Sequence, residues 1–166
     1  MKAYIGIDPG AKGFLTICNE NGYEFIPIAD NSPLELGHAL RRIKQENPEI
    51  MAAMEQIHAV FGSSAKSTFS FGEIFGLLQG LLIANDIPYT LVPPKTWQGE
   101  IWIHPDKVDR YKTDGKKMVD PKGTSINAAR RLFPTIDLHR TPSCKKPDDN
   151  KVDSLLICEY ARRKNL

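Results

Sequence analysis

Cysteine is scarce in this sequence, and the three present, Cys18, Cys144 and Cys158, are far apart and odd in number. They form no C-x-x-C pair, so neither a disulfide framework nor a zinc knuckle is predicted. Long apolar runs are also missing. The longest, such as residues 81–84, fall far short of the roughly 20 residues that span a bilayer, and the early Asp8 interrupts any secretory signal. We therefore expect a protein of the reducing cytoplasm with no membrane association.

The chain has little net charge, +2 over 166 residues, but the charge is unevenly distributed. Residues 1–94 carry 6 Lys/Arg against 10 Asp/Glu, a net charge of −4, whereas residues 95–166 carry 16 against 10, a net charge of +6. A basic half is typical of proteins that bind polyanions, but it also occurs as an ordinary solvated surface. The length suits a single domain over residues 1–166, whose core needs no disulfide or structural metal.

Apolar patterning predicts a mixed α/β sheet with helices packed on it. The chain opens with three antiparallel strands at residues 2–8, 14–18 and 23–28. Strands at 49–55 and 88–92 then alternate with helices, which are predicted from Ser32 to about residue 47, over 67–85, around Trp97, from 124 or 125 to 132, and over 149–164. Residues 104–123 are polar, lysine-rich and free of apolar periodicity, which predicts a mobile loop.

Four acidic residues stand out by their positions in these elements. Asp8 lies inside an otherwise apolar strand and Glu55 ends another, and an unpaired carboxylate in a buried strand costs several kcal/mol unless it is compensated. Asp149 and Asp153 are four residues apart, on one face of the last helix. The favourable dipole of a helix start accounts for Asp149 without any chemistry, but it accounts less well for Asp153.

Such a set of carboxylates, gathered from distant parts of a chain, predicts a site for hard divalent cations. Carboxylate oxygens are the ligands that Mg²⁺ and Mn²⁺ prefer, and the cations relieve the mutual repulsion. Two such ions about 3.5–4 Å apart can activate a water and stabilise the leaving oxygen of a phosphodiester. The predicted chemistry is therefore that of a metal-dependent nuclease.

The same residues resemble a known family, the RuvC-type Holliday-junction resolvases of the ribonuclease-H-like superfamily, and especially its phage-encoded branch. The resemblance runs along most of the chain in matching order and spacing. It rests on residues 5–10, 54–56, 71–80, 89–95 with the sequence Pro-Pro-Lys, 125–134 and 149–156.

The resemblance implies a five-stranded sheet of three antiparallel and then two parallel strands, flanked by helices. It implies a homodimer that resolves four-way junctions, or other branched DNA, by paired nicks in strands of like polarity. It also implies two Mg²⁺ ions per active site, with Mn²⁺ as a substitute, and a location in the bacterial cytoplasm or in that of an infected host.

Catalytic and metal-binding roles carry over by resemblance to Asp8, Glu55 and Asp153, each of which matches its motif. The fourth ligand is left open between two neighbours. Many relatives place it three residues before the final Asp, where this chain has Asn150, whereas the phage branch places it four before, at Asp149. We expect Asp149 to be the ligand.

Other family features carry over to basic and aromatic residues. Lys95 and Lys122 match basic residues near the scissile phosphate, and the alternative for each is an ordinary solvated lysine. His58 or Phe61 takes the place of an aromatic that stacks on a junction base, although this chain departs from the family there and Phe61 also suits a local core. Stacking of this kind contributes roughly 1–3 kcal/mol. Both tryptophans are expected in the core.

Two further surfaces are expected to serve binding. The helix over 67–85 is apolar nearly all round, which predicts a second buried face and hence the dimer seam. The basic side chains of the C-terminal half are expected to meet DNA phosphates. They are Lys112, Lys116, Lys117, Arg130, Arg131, Lys145 and Lys146.

Three other interpretations compete with a junction resolvase. Residues 6–10 are similar to the first phosphate loop of actin-like ATPases, but 166 residues leave no room for the second lobe, so no nucleotide cofactor is expected. Another ribonuclease-H-like nuclease, acting on other branched DNA or on RNA–DNA hybrids, has the same carboxylates. A junction-binding protein without catalysis has no chemical reason to keep them.

Overall fold

The computed structural model describes residues 2–56 and 64–166. The elements are β1 (Ala3–Ile7), β2 (Phe14–Asn19), β3 (Gly22–Pro27), α1 (Pro33–Glu46), β4 (Ile50–Glu55), α2 (Ala65–Ala84), β5 (Tyr89–Val92), α3 (Pro94–Ile101), a 3₁₀ turn (His104–Asp106), β6 (Asp109–Tyr111), β7 (Lys117–Val119), α4 (Pro121–Leu132) and α5 (Asp149–Lys164).

The five N-terminal strands form one sheet in the order β3-β2-β1-β4-β5. β2 is antiparallel to β1 and β3, whereas β4 is parallel to β1 and β5. This topology confirms the predicted mixed sheet of three antiparallel and two parallel strands. Every residue of β1 is buried, as expected for a central strand covered on both faces.

Helices cover both faces of this sheet, and each face has its own apolar core. α1 and α2 pack on one face around Leu40 and Leu82, and α3, α4 and α5 pack on the other around Trp97 and Leu156. α5 lies across β1, β2 and β4. Because neighbours surround this helix along most of its length, it lacks the apolar stripe of a surface helix.

The prediction of a mobile loop over residues 104–123 is wrong. This segment contains the 3₁₀ turn, the antiparallel pair β6–β7 and the first turn of α4. α4 begins at Pro121 rather than at 124 or 125, because the Asp120 side chain caps it by accepting the Gly123 N–H at 3.2 Å. The two strands are only three residues long and mostly exposed, so they show none of the apolar alternation that indicates a strand.

The helix α2 combines an apolar sequence with an exposed surface. Leu78 and Leu82 are buried against the sheet, whereas Phe69 and Ile83 are exposed. By length and composition alone this helix could cross a membrane, which the short apolar runs of the sequence did not suggest. That is weak evidence, because core helices of globular proteins meet the same criterion. The predicted absence of a membrane partner remains a prediction.

α5 and β1 pack very closely at Gly6. A Cβ placed on Gly6 would lie 2.1 Å from the Ser154 carbonyl oxygen and 2.2 Å from the Cys158 nitrogen. Both are backbone atoms, which cannot move aside as a side chain can. We expect Gly6→Ala to lower the free energy of unfolding by about 3 kcal/mol or more, because α5 has to shift away from the sheet.

Urea unfolding of the wild type and of Gly6→Ala, at the same protein concentration, measures this loss of stability. Gly99→Ala is the control, since a Cβ at that helical position meets open space. This control should be neutral or gain about 0.5–1 kcal/mol. An unchanged urea midpoint for Gly6→Ala would contradict the packing of α5 on β1.

Candidate active site

The topology of the sheet brings the two strand-end carboxylates together. β1 and β4 are parallel neighbours, and Ile7 pairs with Met54 in their register. Asp8 and Glu55 each follow one of these paired residues, so they lie side by side at the carboxyl edge of the sheet. In open sheets with parallel strands, ligands bind outside this edge.

Asp8 is half-buried at the start of the tight turn between β1 and β2. Its Oδ1 accepts the Gly10 N–H at 3.2 Å, which fixes the carboxylate. Gly13 closes the turn so tightly that a Cβ there would lie 1.9 Å from the Asp8 carbonyl oxygen. Burial raises the pKa of Asp8 to about 7, and the negative charges of Glu55 and Asp149 add to the rise.

Asp153 comes to the same place from α5. Burial raises its pKa to about 8; Ser125 opposes the rise through a hydrogen bond, and the charges of Asp8 and Glu55 add to it. Its Oδ1 is buried and has no hydrogen-bond partner within the described residues. A buried, unpartnered carboxylate oxygen is costly, so this atom calls for a ligand or a proton.

Glu55 is held from the side by α3. The Trp97 indole N–H donates to Glu55 Oε1 at 2.9 Å. Burial raises the pKa of Glu55, and the bond from Trp97 opposes the rise. Trp97 itself is fully buried, which confirms its predicted place in the core, and Trp102 packs beside it as a half-buried neighbour. Trp97 thus packs in the core and also orients Glu55, a candidate metal ligand.

Asp149 and Lys122 form an ion pair at the open side of this group. The hydrogen bond and charge of Asp149 raise the pKa of Lys122. Lys122 is therefore within reach of the carboxylates. The neighbouring Asn150 turns its amide NH₂ to Asp148 Oδ1 at 3.3 Å, so the geometry favours Asp149 over Asn150 as the fourth ligand, and the assignment remains a prediction.

Sequence reasoning missed two residues that hold this site together, Asp148 and Arg140. Asp148 Oδ1 caps α5 by accepting the N–H groups of Asn150 and Lys151 at 3.0 and 3.1 Å. The Arg140 Nε donates to Asp148 Oδ2 at 2.6 Å, and the same guanidinium donates to the Lys12 carbonyl oxygen in the β1–β2 turn. Arg140 thus joins the turn that carries Asp8 to the helix that carries Asp153.

The amino-acid sequence contains only a weak signal for the contacts that Arg140 makes with Asp148 and with the β1–β2 turn. Acidic residues at a helix start have an ordinary explanation in the helix dipole, which made Asp148 unremarkable. Arg140 lies in the irregular segment before α5, where neither apolar periodicity nor a motif indicates a role for it. Only the fold reveals that it also stacks over the Phe14 ring, at 4.6 Å from the centroid.

The other predicted site residues form no ion pair with the four carboxylates in the part of the chain that the structure describes. Lys95 is exposed on the first turn of α3, just past the end of β5, and has no ion pair within residues 2–56 and 64–166. Several predicted DNA contacts are exposed: Lys112 and Lys116 around the β6–β7 turn, Arg130 on α4, and Lys145 and Lys146 before α5. Lys117 is also exposed, and its Nζ pairs with Asp109 Oδ2 at 2.8 Å. His58 and Phe61 lie outside the described residues.

Arg131 is an exposed residue, but its guanidinium is engaged by structural partners. Its guanidinium donates to both oxygens of the buried Asp106, at 2.9 and 2.8 Å, and to the Ile101 carbonyl oxygen at 3.0 Å. These contacts hold α4 to the 3₁₀ turn. Its predicted contact with DNA phosphates is untested, and this geometry favours Arg130 on the same helix for that role.

The chemistry of the carboxylates suits a divalent cation. In the described part of the chain, however, no three or more His, Cys, Asp or Glu side chains are arranged to share an ion as they stand. Trp97 engages Glu55, and Lys122 engages Asp149. The unpartnered Oδ1 of Asp153 and the all-oxygen donor set fit a hard cation.

The raised pKa values predict how stability depends on pH without metal. An acid with a raised pKa in the folded state binds more protons when folded than when unfolded, so stability falls as pH rises. For Asp153 this loss runs from its ordinary pKa near 4 to about 8. Asp153→Asn should therefore gain stability over the wild type across this range, by a few kcal/mol in total, and the gain should level off above it.

Urea unfolding in EDTA at pH values from 4.5 to 9 measures the difference between the two proteins. Taking that difference removes the contributions of titrating groups that do not interact with Asp153. Asp86→Asn is a matched control for the same substitution at an exposed position. A flat difference for Asp153→Asn would mean that Asp153 is not buried beside other carboxylates.

Comparison with solved structures identifies the fold. No family model and no curated protein matches the sequence. The chain resembles Thermus thermophilus RuvC in complex with a Holliday junction substrate at 12% identity and a TM-score of 0.60, with 99% of this chain and 95% of that chain covered. It resembles Thermus thermophilus RuvC in a second structure at 13% identity and a TM-score of 0.54, covering 98% and 96% of the two chains. The yeast mitochondrial Holliday junction resolvase Ydc2 aligns at 14% identity and a TM-score of 0.53, covering 96% of this chain and 77% of that one. The chain therefore has the ribonuclease-H-like fold of the RuvC-type resolvases.

Proposed function

We propose that this protein is an endodeoxyribonuclease that resolves four-way DNA junctions by paired, metal-dependent nicks, in which water attacks the phosphodiester. The observation that carries this proposal is the meeting of Asp8, Glu55, Asp149 and Asp153 at the carboxyl edge of the sheet. The charges of Glu55 and Asp149 act on Asp8, and those of Asp8, Glu55 and Asp149 act on Asp153. The fold, shared with two junction resolvases, supports the choice of substrate.

The four carboxylates are the residues that would hold Mg²⁺ or Mn²⁺. Without a cation, burial and mutual repulsion disfavour the charged forms of Asp8 and Asp153 and raise their pKa values to about 7 and about 8. This is an unfavourable state for a purely structural site, since apolar residues of the same size would pack without that cost. When bound, the divalent ions supply positive charge for the phosphate oxygens and lower the pKa of an attacking water.

The chain itself contributes orientation and charge. The Gly10 N–H and the Trp97 indole hold one oxygen each of Asp8 and Glu55, which limits the directions in which their other oxygens point. Lys122 extends from the start of α4 to the same group and can donate to a phosphate oxygen. Lys95 lies at the end of the neighbouring strand and is a second candidate for this role.

Paired nicks require two copies of this site, and α2 offers a surface for dimerisation. Three glycines four residues apart, Gly72, Gly76 and Gly80, line one stripe of this helix, and a Cβ on any of them would meet no atom of the described chain. Such a stripe allows two helices to approach closely. Phe69 and Ile83, 68% and 64% exposed, extend it at both ends. A two-fold dimer matches the two-fold symmetry of a four-way junction.

A nuclease for other branched DNA or for RNA–DNA hybrids is the second candidate. The carboxylates determine the reaction, whereas the surrounding surfaces determine the substrate. A binding protein without catalysis is less consistent with the buried acidic residues, which weaken phosphate binding unless a cation offsets their charge.

We expect Asp8→Asn to abolish Mg²⁺-dependent nicking of a labelled four-way junction. The amide removes a negative oxygen from the site, so junction binding should be unchanged or tighter. The measurements are gel analysis of nicks and a binding titration, with Asp86→Asn as the matched control. Wild-type nicking by Asp8→Asn, or undiminished nicking in EDTA, would contradict the proposed mechanism.

A substrate panel distinguishes the two nuclease candidates. We expect the wild-type protein to nick a four-way junction faster than a replication fork, an RNA–DNA hybrid or a linear duplex, at physiological salt. The expected products are paired nicks in strands of like polarity. Equal rates on all four substrates would indicate a general nuclease instead.

The dimer is tested by substitution in the glycine stripe. Gly76→Leu should leave the fold intact, because the side chain enters open space, but it should weaken dimerisation by keeping the helices apart. Sedimentation velocity over a range of concentrations measures this. Gly99→Leu, on α3, is the control. A monomeric wild type, or a Gly76→Leu dimer as stable as the wild type, would reject this interface.

A further inference from the structure

The segment that sequence analysis assigned to a mobile loop forms a defined arm. β6 and β7 pair in the register Asp109–Val119, Arg110–Met118 and Tyr111–Lys117. The pairing continues into the turn, where the Lys112 N–H donates to the Lys116 carbonyl oxygen at 3.0 Å. Gly115, with φ +78°, provides the left-handed residue that this turn requires. We call residues 109–119 the hairpin arm.

The base of the hairpin arm is fixed beside the candidate active site. The Asp120 N–H donates to the Val108 carbonyl oxygen at 2.7 Å, and the Val108 N–H donates to Thr124 Oγ1 at 3.1 Å. These bonds attach both ends of the arm to the first turn of α4. Lys122, which pairs with Asp149, lies on that same turn. The arm therefore projects from the part of α4 that reaches the carboxylates.

The two sides of the hairpin arm differ in chemistry, because successive strand residues point to opposite faces. One face carries Tyr111 beside Lys117, and the other carries Arg110, which is followed in the turn by Lys112 and Lys116. Tyr111 is 71% exposed. Within the described residues neither Arg110 nor Lys112 forms an ion pair, whereas Lys117 is bound to Asp109 and Lys116 lies 3.8 Å from Asp114.

This pattern matches a nucleic acid better than a protein partner. Residues 109–119 contain four Lys/Arg and two Asp/Glu, a net charge of +2, so the arm attracts a polyanion. An exposed aromatic ring between cations is the combination that stacks on an unpaired base while neighbouring side chains hold the backbone phosphates. A fully paired duplex offers no free base face, but a branch point does.

We propose that the hairpin arm contacts DNA at the branch point, with Tyr111 stacked on an unpaired base and Arg110 and Lys112 bound to the adjoining phosphates. This inference rests on the proposed function and adds to it a structure-specific contact. It places the stacking residue on the arm beside α4, in addition to any role of the predicted His58 and Phe61.

The test compares variants of the arm in the Asp8→Asn background, where the DNA remains uncut. Affinities for a four-way junction and for a linear duplex of the same length are measured by titration, and 2-aminopurine at the branch point reports stacking. Tyr111→Ala should weaken junction binding by about 5- to 100-fold and leave duplex binding nearly unchanged, since only stacking is lost. Tyr111→Phe keeps the ring and should retain both the affinity and the fluorescence change.

The cations of the arm are tested by salt dependence. The double variant Arg110→Gln with Lys112→Gln should weaken binding to both DNAs and lower the slope of log Kd against log salt by about two. Arg41→Gln is the control, because Arg41 is an exposed cation on α1, which packs on the opposite face of the sheet. This control should leave the slope unchanged.

The possible failures are distinguishable. If the Asp8→Asn protein binds the junction but Tyr111→Ala changes neither affinity nor fluorescence, the arm proposal is wrong and the proposed function stands. Stacking is also overturned if Tyr111→Ala and Tyr111→Phe lose the same affinity for the junction. It is likewise overturned if Tyr111→Ala loses as much affinity for the duplex as for the junction. If the wild-type protein neither nicks nor binds junctions, the proposed function and the arm proposal fail together.

Discussion

The close packing of α5 on the central strand β1 is the constraint on which the candidate site depends. Gly6 lets the two backbones approach more closely than any larger residue would allow. This approach places Asp153 near Asp8 and partly removes both from water, which raises the pKa of each. A looser contact would leave the same carboxylates solvated, with little effect on one another. The electrostatic properties of the site are thus a consequence of core packing two residues away from Asp8.

Burial of like charges works against folding, and the surrounding residues limit its cost. Arg140 bonds to both the α5 cap and the β1–β2 turn, Lys122 pairs with Asp149, and Trp97 donates to Glu55. No such group partners Oδ1 of Asp153 in the described part of the chain. Natural proteins depart from locally favourable choices mainly at functional sites. The four carboxylates fit that pattern, because the cation of the proposed function would make their charges favourable.

Two exposed features have no role in stabilising the sheet, and both suit intermolecular contacts. The glycine stripe of α2 lies on the face of the molecule opposite to α5, whereas the hairpin arm extends from the first turn of α4. In the proposed resolvase, the first brings two active sites together and the second reaches the DNA. The carboxylate site lies at the sheet edge between these two layers of helices.

The sequence by itself determined the features that depend on neighbouring residues. The capping box of Ser32 and Glu35 and the apolar spacing after it specify α1, and apolar strands ending in Asp8 and Glu55 indicate buried carboxylates. The tertiary structure decided what depends on distant residues: the link from Arg140 to the β1–β2 turn, the bond from Trp97 to Glu55, and the partner of Arg131. It also decided the hairpin arm, whose short charged strands have no apolar period. The base of the arm is fixed by bonds from Val108 to Thr124 on α4 and to Asp120, which caps α4. Local propensity and periodicity act over a few residues, whereas these contacts join residues that only the folded chain brings together.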